Sequence, residues 1–261
     1  MYKTKLVEVF YGLGRAERNQ LLKFSQSPYH NTRQDVVLLF QYLQKSSKKQ
    51  PSYLDKEVIY KCIYPQKGYQ EKKMYYLISF AYQLIESFFV QQELKKQTTR
   101  QLFFLAQSYE QRGMPKQSTQ SLKKIETALE KSKLLDSKYL DAKFRLEDLR
   151  YIYLQHQQKH RNSPINLQEA TNALDISFIA QKLKQACLIL SHQAVYKSKY
   201  QTGLLSTLIY FLEENPSYLE YPAIALYYYY HQARTKEATQ QDFYFQQFRE
   251  KLTEILPAEF W

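Results

Sequence analysis

Apolar residues recur along this chain at three- and four-residue steps, and this periodicity limits the possible folds more than any other feature. Residues spaced in this way lie on one face of an α-helix. The longest run comprises Met74, Leu77, Ile78, Ala81, Leu84, Ile85, Phe88 and Phe89. Tyr75, Tyr76, Phe80 and Tyr82 widen its apolar zone. We therefore expect a long helix here that is buried on more than one side.

Shorter runs with the same period predict helices elsewhere, and strand-like alternation is hard to find. These runs lie within residues 36–43, 174–194, 205–212 and 245–255. The chain of 261 residues has only 5 glycines, too few for a sandwich or barrel built on many tight turns. Its 25 tyrosines and 15 phenylalanines exclude disorder as the main state. The prediction is an all-α protein.

Turn-forming and capping residues separate the predicted helices. The breaks are Ser27-Pro28, Gly68, Gly113 followed by Pro115, Asn162-Ser163-Pro164, Gly203 and Asn215-Pro216, and the expected N-caps are Asn31 or Thr32, Ser52 and Asn166. This punctuation gives about ten helices joined mostly by short connections. Short connections make successive helices pack antiparallel, which predicts a series of irregular helix hairpins.

Residues 102–129 predict one helix–turn–helix whose composition follows a known pattern. Leu102, Leu105, Ala106, Tyr109 and Gly113 stand at the spacings of a tetratricopeptide repeat (TPR), and the segment resembles that family. Ser118, Leu122 and Ile125 depart from its usual residues. A second, looser match covers residues 221–252. The resemblance implies a TPR-like right-handed superhelix, an α-solenoid. A non-repeating helical bundle is the alternative.

The domain prediction is a single helical domain over residues 1–261, with an optional division into an N-terminal block, 1–96, and the TPR-like hairpins, 97–261. Residues 24–43 are similar to the opening of uncharacterised helical-repeat proteins of the Bacteroidota, which are longer and imply no activity. That similarity suggests that the chain is an N-terminal portion. Residues 256–261 support this interpretation, because they resemble the start of another helix.

The formal net charge of +12 predicts acidic partners. Lysines and arginines occur in several small groups, which favours a solvated surface. A basic nucleic-acid-binding surface is the alternative. Cys62 and Cys187 share no metal-binding spacing and are interpreted as small apolar residues on helix faces. With no secretory signal and no apolar run near the ~20 residues of a membrane span, we expect a cytoplasmic protein.

No catalytic or cofactor motif stands out, so we predict no catalytic, cofactor-binding or metal-binding residues and no enzyme activity. Gly12 and Gly14 follow no strand and are unsuited to cradling phosphate. His156 and His160 share a helix face, but no third zinc ligand is suggested. His30, His192 and His231 are isolated, and the pair Glu213-Glu214 lies near a predicted helix end and is interpreted as surface.

Four consecutive tyrosines, Tyr227, Tyr228, Tyr229 and Tyr230, are unusual in composition. On a helix they point in all directions, so we expect one or two of them to pack between hairpins. Exposed members would line a groove for a peptide. The functional prediction is a non-enzymatic scaffold that binds another protein or a peptide through a helical groove. The alternative is nucleic-acid binding through a basic surface.

Overall fold

A computed structural model describes residues 1, 4–46, 54–132, 134–157 and 165–255. These ranges contain twelve α-helices and no strand, which confirms the all-α prediction. The helices are α1 Lys5–Gly12, α2 Arg15–Gln26, α3 Gln34–Lys45, α4 Lys56–Ile63, α5 Glu71–Lys96, α6 Thr98–Gln111, α7 Pro115–Glu130, α8 Ser137–Gln157, α9 Leu167–Val195, α10 Leu205–Glu214, α11 Pro222–Thr235 and α12 Ala238–Ile255. A 3-10 helix, Pro216–Glu220, follows α10.

Contacts between helices divide the chain into two compact units, Met1–Thr98 and Thr99–Trp261. The first has one continuous hydrophobic core, and the second has two clusters of buried residues. The optional boundary after residue 96 falls two residues before this division. The single domain over residues 1–261 stays a prediction. Ser52, His160, the break at residues 162–164 and the segment 256–261 lie outside the described residues.

In the first unit, α5 is the helix on which the others converge. Helices α1, α2 and α3 pack against it, and α4 packs against α3. Its buried face consists of six of the eight residues in the predicted run, Met74, Leu77, Ala81, Leu84, Ile85 and Phe88, whereas Phe89 is exposed. Tyr75, Tyr76 and Phe80 are exposed, so the expectation of burial on more than one side is wrong. The neighbouring helices cover a single face of α5.

Two helix starts in the first unit differ from the expected caps. Helix α3 begins at Gln34, and neither Asn31 nor Thr32 caps it. Asn31 instead accepts a hydrogen bond from the Arg33 N–H at 3.0 Å and donates one to the Ser25 carbonyl at 2.8 Å. Its side chain therefore fixes the connection between α2 and α3. Asp55, rather than Ser52, caps α4 and accepts a hydrogen bond from the Glu57 N–H.

In the second unit, the turn between α6 and α7 confirms the predicted helix end. Gly113 has a left-handed φ of 64°, which glycine adopts without steric cost. The Met114 N–H bonds to the Tyr109 carbonyl and the Gly113 N–H to the Glu110 carbonyl, both at 3.0 Å. This pairing is the Schellman motif. Pro115 is the first residue of α7, as expected.

Packing in the second unit is uneven along the chain. The closest pairs are α7 with α8, α8 with α9, α9 with α11, and α11 with α12, whereas α10 lies against α9. Ile125 is fully buried, and α7 approaches α8 more closely than it approaches α6. The predicted periodic run within residues 174–194 lies in α9. Leu174 and Phe178 of α9 are exposed, contrary to the expected stripe.

Candidate functional site

The first unit contains an open cleft of about 530 Å³ between α2 and α5. Its volume lies within the range of sites that bind small molecules or single side chains. The residues that line it are Gln20, Lys23, Phe24, Ser27, His30, Phe88, Gln91, Gln92 and Lys95. They include two ammonium groups and three primary amides but no carboxylate. This composition favours a ligand that carries negative charge.

Aromatic rings form the floor of the cleft. Phe88 belongs to the hydrophobic core and is 4% exposed. Phe24 meets it edge-on, with ring centroids 5.6 Å apart. His30 stacks on Phe24, with centroids 4.0 Å apart and planes within 15° of each other. The floor is therefore anchored to the core and presents flat rings to a bound group.

The connection between α2 and α3 carries two aromatic groups, His30 and Tyr29. The His30 N–H bonds to the Ser27 carbonyl at 3.0 Å, which closes a turn after α2. Tyr29 meets His30 edge-on at 5.0 Å and is 91% exposed. The three rings of Phe24, His30 and Tyr29 thus extend from the edge of the core into solvent. A ring as exposed as that of Tyr29 is available for contact with a partner.

Polar side chains complete the walls. The Gln92 amide donates a hydrogen bond to Gln20 at 2.6 Å and thereby links α5 to α2. Gln91 lies beside this pair, and Lys23 and Lys95 line the cleft from α2 and α5. Amides can both donate to and accept from a peptide backbone, and ammonium groups donate to carboxylates. The walls therefore suit an extended acidic segment.

Net charge is divided unequally between the two units. Residues 1–98 contain 16 Lys and Arg against 8 Asp and Glu, a net charge of +8. Residues 99–261 contain 21 against 17, a net charge of +4. Counting on either side of the predicted boundary at residue 96 would have revealed the difference.

The first unit has a second polar cluster, in which Arg33, Asp35 and Tyr64 are hydrogen-bonded to one another. Arg33 donates two hydrogen bonds to Asp35, at 2.8 and 3.1 Å, and the Tyr64 hydroxyl donates a third. Burial by itself raises the pKa of the Asp35 carboxyl, but the bonds from Arg33 and Tyr64 hold it below its usual value. Arg33 also lies over the ring of Phe80, 4.2 Å from its centroid. We interpret this cluster as structural.

The predicted histidine pair does not form a described metal site. His156 Nδ1 lies 2.7 Å from a carboxylate oxygen of Glu110, and His160 lies outside the described residues. Among the residues whose placement is known, no group of three His, Cys, Asp or Glu could hold a metal ion. His192 bonds to the Tyr200 hydroxyl at 2.8 Å. His231 is half-buried, and burial lowers its pKa.

The four consecutive tyrosines, residues 227–230, pack between helices. Tyr228 is buried, and its three neighbours are half-buried. Tyr229 and Tyr230 contact the α12 rings of Tyr244 and Phe248, at centroid distances of 6.4 and 5.5 Å. Burial raises the pKa of the Tyr228 hydroxyl. None of the four is exposed enough to serve as an open binding platform.

The remaining candidates have structural explanations. Gly14 precedes α2, and its N–H donates to the Glu17 carboxylate at 2.9 Å, so the glycine pair lies at a helix junction. Cys187 is buried, as expected, and burial raises the pKa of its thiol to about 12. Cys62 lies on helix α4, as expected, and is exposed.

Comparisons of this chain with protein-family models, curated proteins and solved structures give no match. None of the helices in the described ranges has both the length and the apolar character needed to cross a membrane. Sequence motifs do not reveal the cleft, because its floor joins Phe24 and Phe88, which are remote in sequence. His30, which stacks on Phe24, belongs to no motif in the sequence.

Proposed function

We propose that the protein is a non-enzymatic helical scaffold that binds an acidic segment of another protein in the cleft between α2 and α5. The observation that carries this proposal is the composition of the cleft, which combines aromatic rings, amides and two lysines with no carboxylate. Apolar contacts would anchor the segment, and charge would select it. Interfaces of this kind derive most of their affinity from a few aromatic and cationic side chains.

The cleft suits an extended peptide more closely than a compact metabolite. It is open to solvent, and Gln20 on α2 and Gln91 and Gln92 on α5 offer both donors and acceptors. An apolar peptide side chain would rest against Phe24 and Phe88. Acidic side chains on either side would reach Lys23 and Lys95. The core-anchored floor reduces the conformational entropy lost on binding, which favours affinity.

The proposal includes a TPR-like right-handed superhelix as the finer architecture and the cytoplasm as the compartment. The close pairing of α11 with α12 supports hairpin packing in the second unit. The lack of metal or disulfide spacing between Cys62 and Cys187 supports a reducing compartment. In this view the hairpins are the scaffold, and the first unit carries the binding cleft.

Nucleic-acid binding is the second candidate, and the net charge of +8 on residues 1–98 favours it. A protein that binds the phosphate backbone of a nucleic-acid strand needs lysines and arginines at regular intervals along the binding surface. On α5 the exposed lysines stand near its two ends, at Lys72 and at Lys95 and Lys96. At 1.5 Å per residue these groups are about 35 Å apart. This separation favours a short acidic segment over a continuous nucleic-acid strand.

Selection from a random peptide-display library against the full chain tests the proposal. We expect enrichment of sequences that combine acidic and apolar residues. Their binding should be lost in the double variant Lys23→Glu, Lys95→Glu and retained in the control Lys61→Glu, Lys67→Glu, which changes the net charge equally. Failure to enrich any sequence, or binding that survives in the cleft variant, would contradict the proposal. Tighter binding of a thymidine oligonucleotide than of any peptide would favour the second candidate.

A further inference from the structure

An open pocket of about 330 Å³ lies between α8 and α9 in the second unit. Its lining combines three cations, two primary amides, one hydroxyl and one carboxylate with a single apolar side chain, Leu188. The cations are Lys138 and Arg145 of α8 and Lys184 of α9. The volume is at the lower end of the range for small-molecule sites. A pocket with this lining favours a small ligand that is anionic and polar.

The hydroxyl of Ser137 is the buried polar group of this pocket. Ser137 is the first residue of α8 and is 3% exposed. The Lys184 ammonium donates a hydrogen bond to its oxygen at 3.2 Å, and the Tyr227 hydroxyl of α11 shares another with it. Side chains of three helices therefore meet at this hydroxyl. The bond to Ser137 holds Lys184 at the pocket, and an ammonium group has two further N–H donors for a ligand.

Arg145 is positioned by the one carboxylate of the pocket. Its Nε donates a hydrogen bond to Asp141, one turn earlier on α8, at 2.7 Å. The two terminal amino groups of a guanidinium held in this way still carry N–H donors. The Arg145 side chain is 64% exposed, so a ligand in the pocket can reach these groups. The planar guanidinium is suited to bind phosphate through two parallel hydrogen bonds.

Backbone N–H groups at the start of α8 already have an acceptor. The Asp136 carboxylate accepts hydrogen bonds from the N–H groups of Lys138 and Tyr139, both at 3.0 Å. Side chains, rather than the helix end, must therefore hold an anion here. Lys138 shares a face of α8 with Asp141 and Arg145, because the three residues follow one another at steps of three and four. Its ammonium extends the cationic lining beside the guanidinium.

We propose that this pocket binds a small phosphomonoester that carries hydroxyl groups, of the sugar-phosphate class. Three cations less one carboxylate give the lining a net charge of +2. A phosphomonoester carries about −1.5 to −2 at neutral pH, which matches this charge more closely than a single carboxylate does. Arg145 and Lys184 would bind the phosphate oxygens. The amides of Gln181 and Gln185 would bind the hydroxyl groups, to which they can both donate and accept.

Isothermal titration calorimetry of the full chain at low ionic strength tests the proposal with glycerol phosphate, ribose phosphate and glucose phosphate. We expect at least one ester to bind more tightly than inorganic phosphate, and no binding of glycerol, ribose or glucose. The double variant Lys138→Gln, Arg145→Gln should weaken binding about tenfold or more, because it removes charge-assisted hydrogen bonds. The control Lys123→Gln, Lys124→Gln removes the same charge from exposed positions of α7 and should leave the affinity unchanged.

Circular dichroism should show the same helicity in both double variants. Lys138→Gln alone, which leaves the Arg145–Asp141 hydrogen bond intact, should also weaken binding. No heat of binding from any of the three esters, or equal affinity in the pocket variant and the unmodified protein, would overturn the proposal. Tighter binding of inorganic phosphate than of every ester would overturn the hydroxyl contacts. Tighter binding of a phosphoserine peptide than of every ester would overturn the assignment to a small ligand.

Discussion

The imidazole of His30 lies flat against the ring of Phe24, with their centroids 4.0 Å apart. Phe24 in turn contacts Phe88, a member of the hydrophobic core. The exposed connection between α2 and α3 is therefore held against the core by ring contacts as well as by the hydrogen bonds of Asn31. This anchoring gives the cleft a fixed aromatic floor before any partner binds.

Removal of the His30 ring should weaken binding without unfolding the protein. His30→Ala removes a ring that would contact the bound peptide, and an aromatic contact of this kind contributes about 1 kcal/mol, or about a fivefold change in affinity. The measurement is a fluorescence anisotropy titration with a peptide enriched in the selection described above. The matched control is His192→Ala in the second unit, where the affinity should stay unchanged. Equal affinity of the His30 variant and the unmodified protein would exclude the stack from the site.

The left-handed turn between α6 and α7 should depend on glycine. Gly113→Ala places a Cβ on a residue with a φ of 64° and should lower the free energy of unfolding by about 1 kcal/mol. Gly68→Ala is the control, because Gly68 has no left-handed φ and open space surrounds its Cβ position. Urea denaturation followed by circular dichroism measures both. A loss of stability as large at Gly68 as at Gly113 would contradict the role of the turn.

The Arg33–Asp35–Tyr64 cluster should make stability depend on pH in a defined direction. Asp35→Asn should cost about 1–3 kcal/mol at neutral pH, because it removes the charge from a partly buried acceptor. The pKa of Asp35 is lower in the folded protein than its unfolded value of about 3.9, so its stabilising effect is complete above that value. The difference between the variant and the unmodified protein should shrink as the pH falls below about 4.

Denaturation curves measured at a series of pH values test this behaviour. Asp141→Asn serves as the control, since Asp141 pairs with Arg145 on the surface of α8 at 2.7 Å. A surface pair of this kind is worth about 0.5 kcal/mol or less. A penalty for Asp35→Asn that grows towards acid pH would show that the sign assigned to its pKa shift is wrong.

The two cysteines should differ sharply in reactivity. Cys62 is exposed, whereas Cys187 is buried with a thiol pKa of about 12, so almost none of it is thiolate near pH 8. A colorimetric thiol reagent should modify one cysteine rapidly in the native protein and the second only after denaturation. The Cys62→Ser variant should show no rapid phase. Rapid modification of that variant would contradict the burial of Cys187.

Local sequence signals predicted local structure well. Gly113 and Pro115 specify a turn through their own backbone preferences, and the structure has that turn. The sequence around Asn31 is compatible with two structures, because its side chain can bond either to the helix that follows or to the helix that precedes it. The bond to the Ser25 carbonyl shows that the second use prevails. Capping preferences alone do not distinguish the two.

Features that depend on contacts between remote segments could not be predicted in this way. The exposure of Tyr75, Tyr76 and Phe80 follows from which face of α5 its neighbours cover, and periodicity does not specify neighbours. The cleft has the same origin, since Lys23 and Lys95 come together only when α2 packs on α5. The excess positive charge of residues 1–98 can be counted in the sequence, but the count depends on where the chain is divided into units.

Hydrogen–deuterium exchange of the full chain, with and without a selected acidic peptide, tests the proposed binding cleft most directly. We predict that the peptide slows exchange in α2, in residues 27–33 and in the C-terminal half of α5, and leaves α6–α12 unchanged. The Lys23→Glu, Lys95→Glu variant should show no such protection. Protection confined to residues 99–261, or the same protection in the variant, would contradict the account.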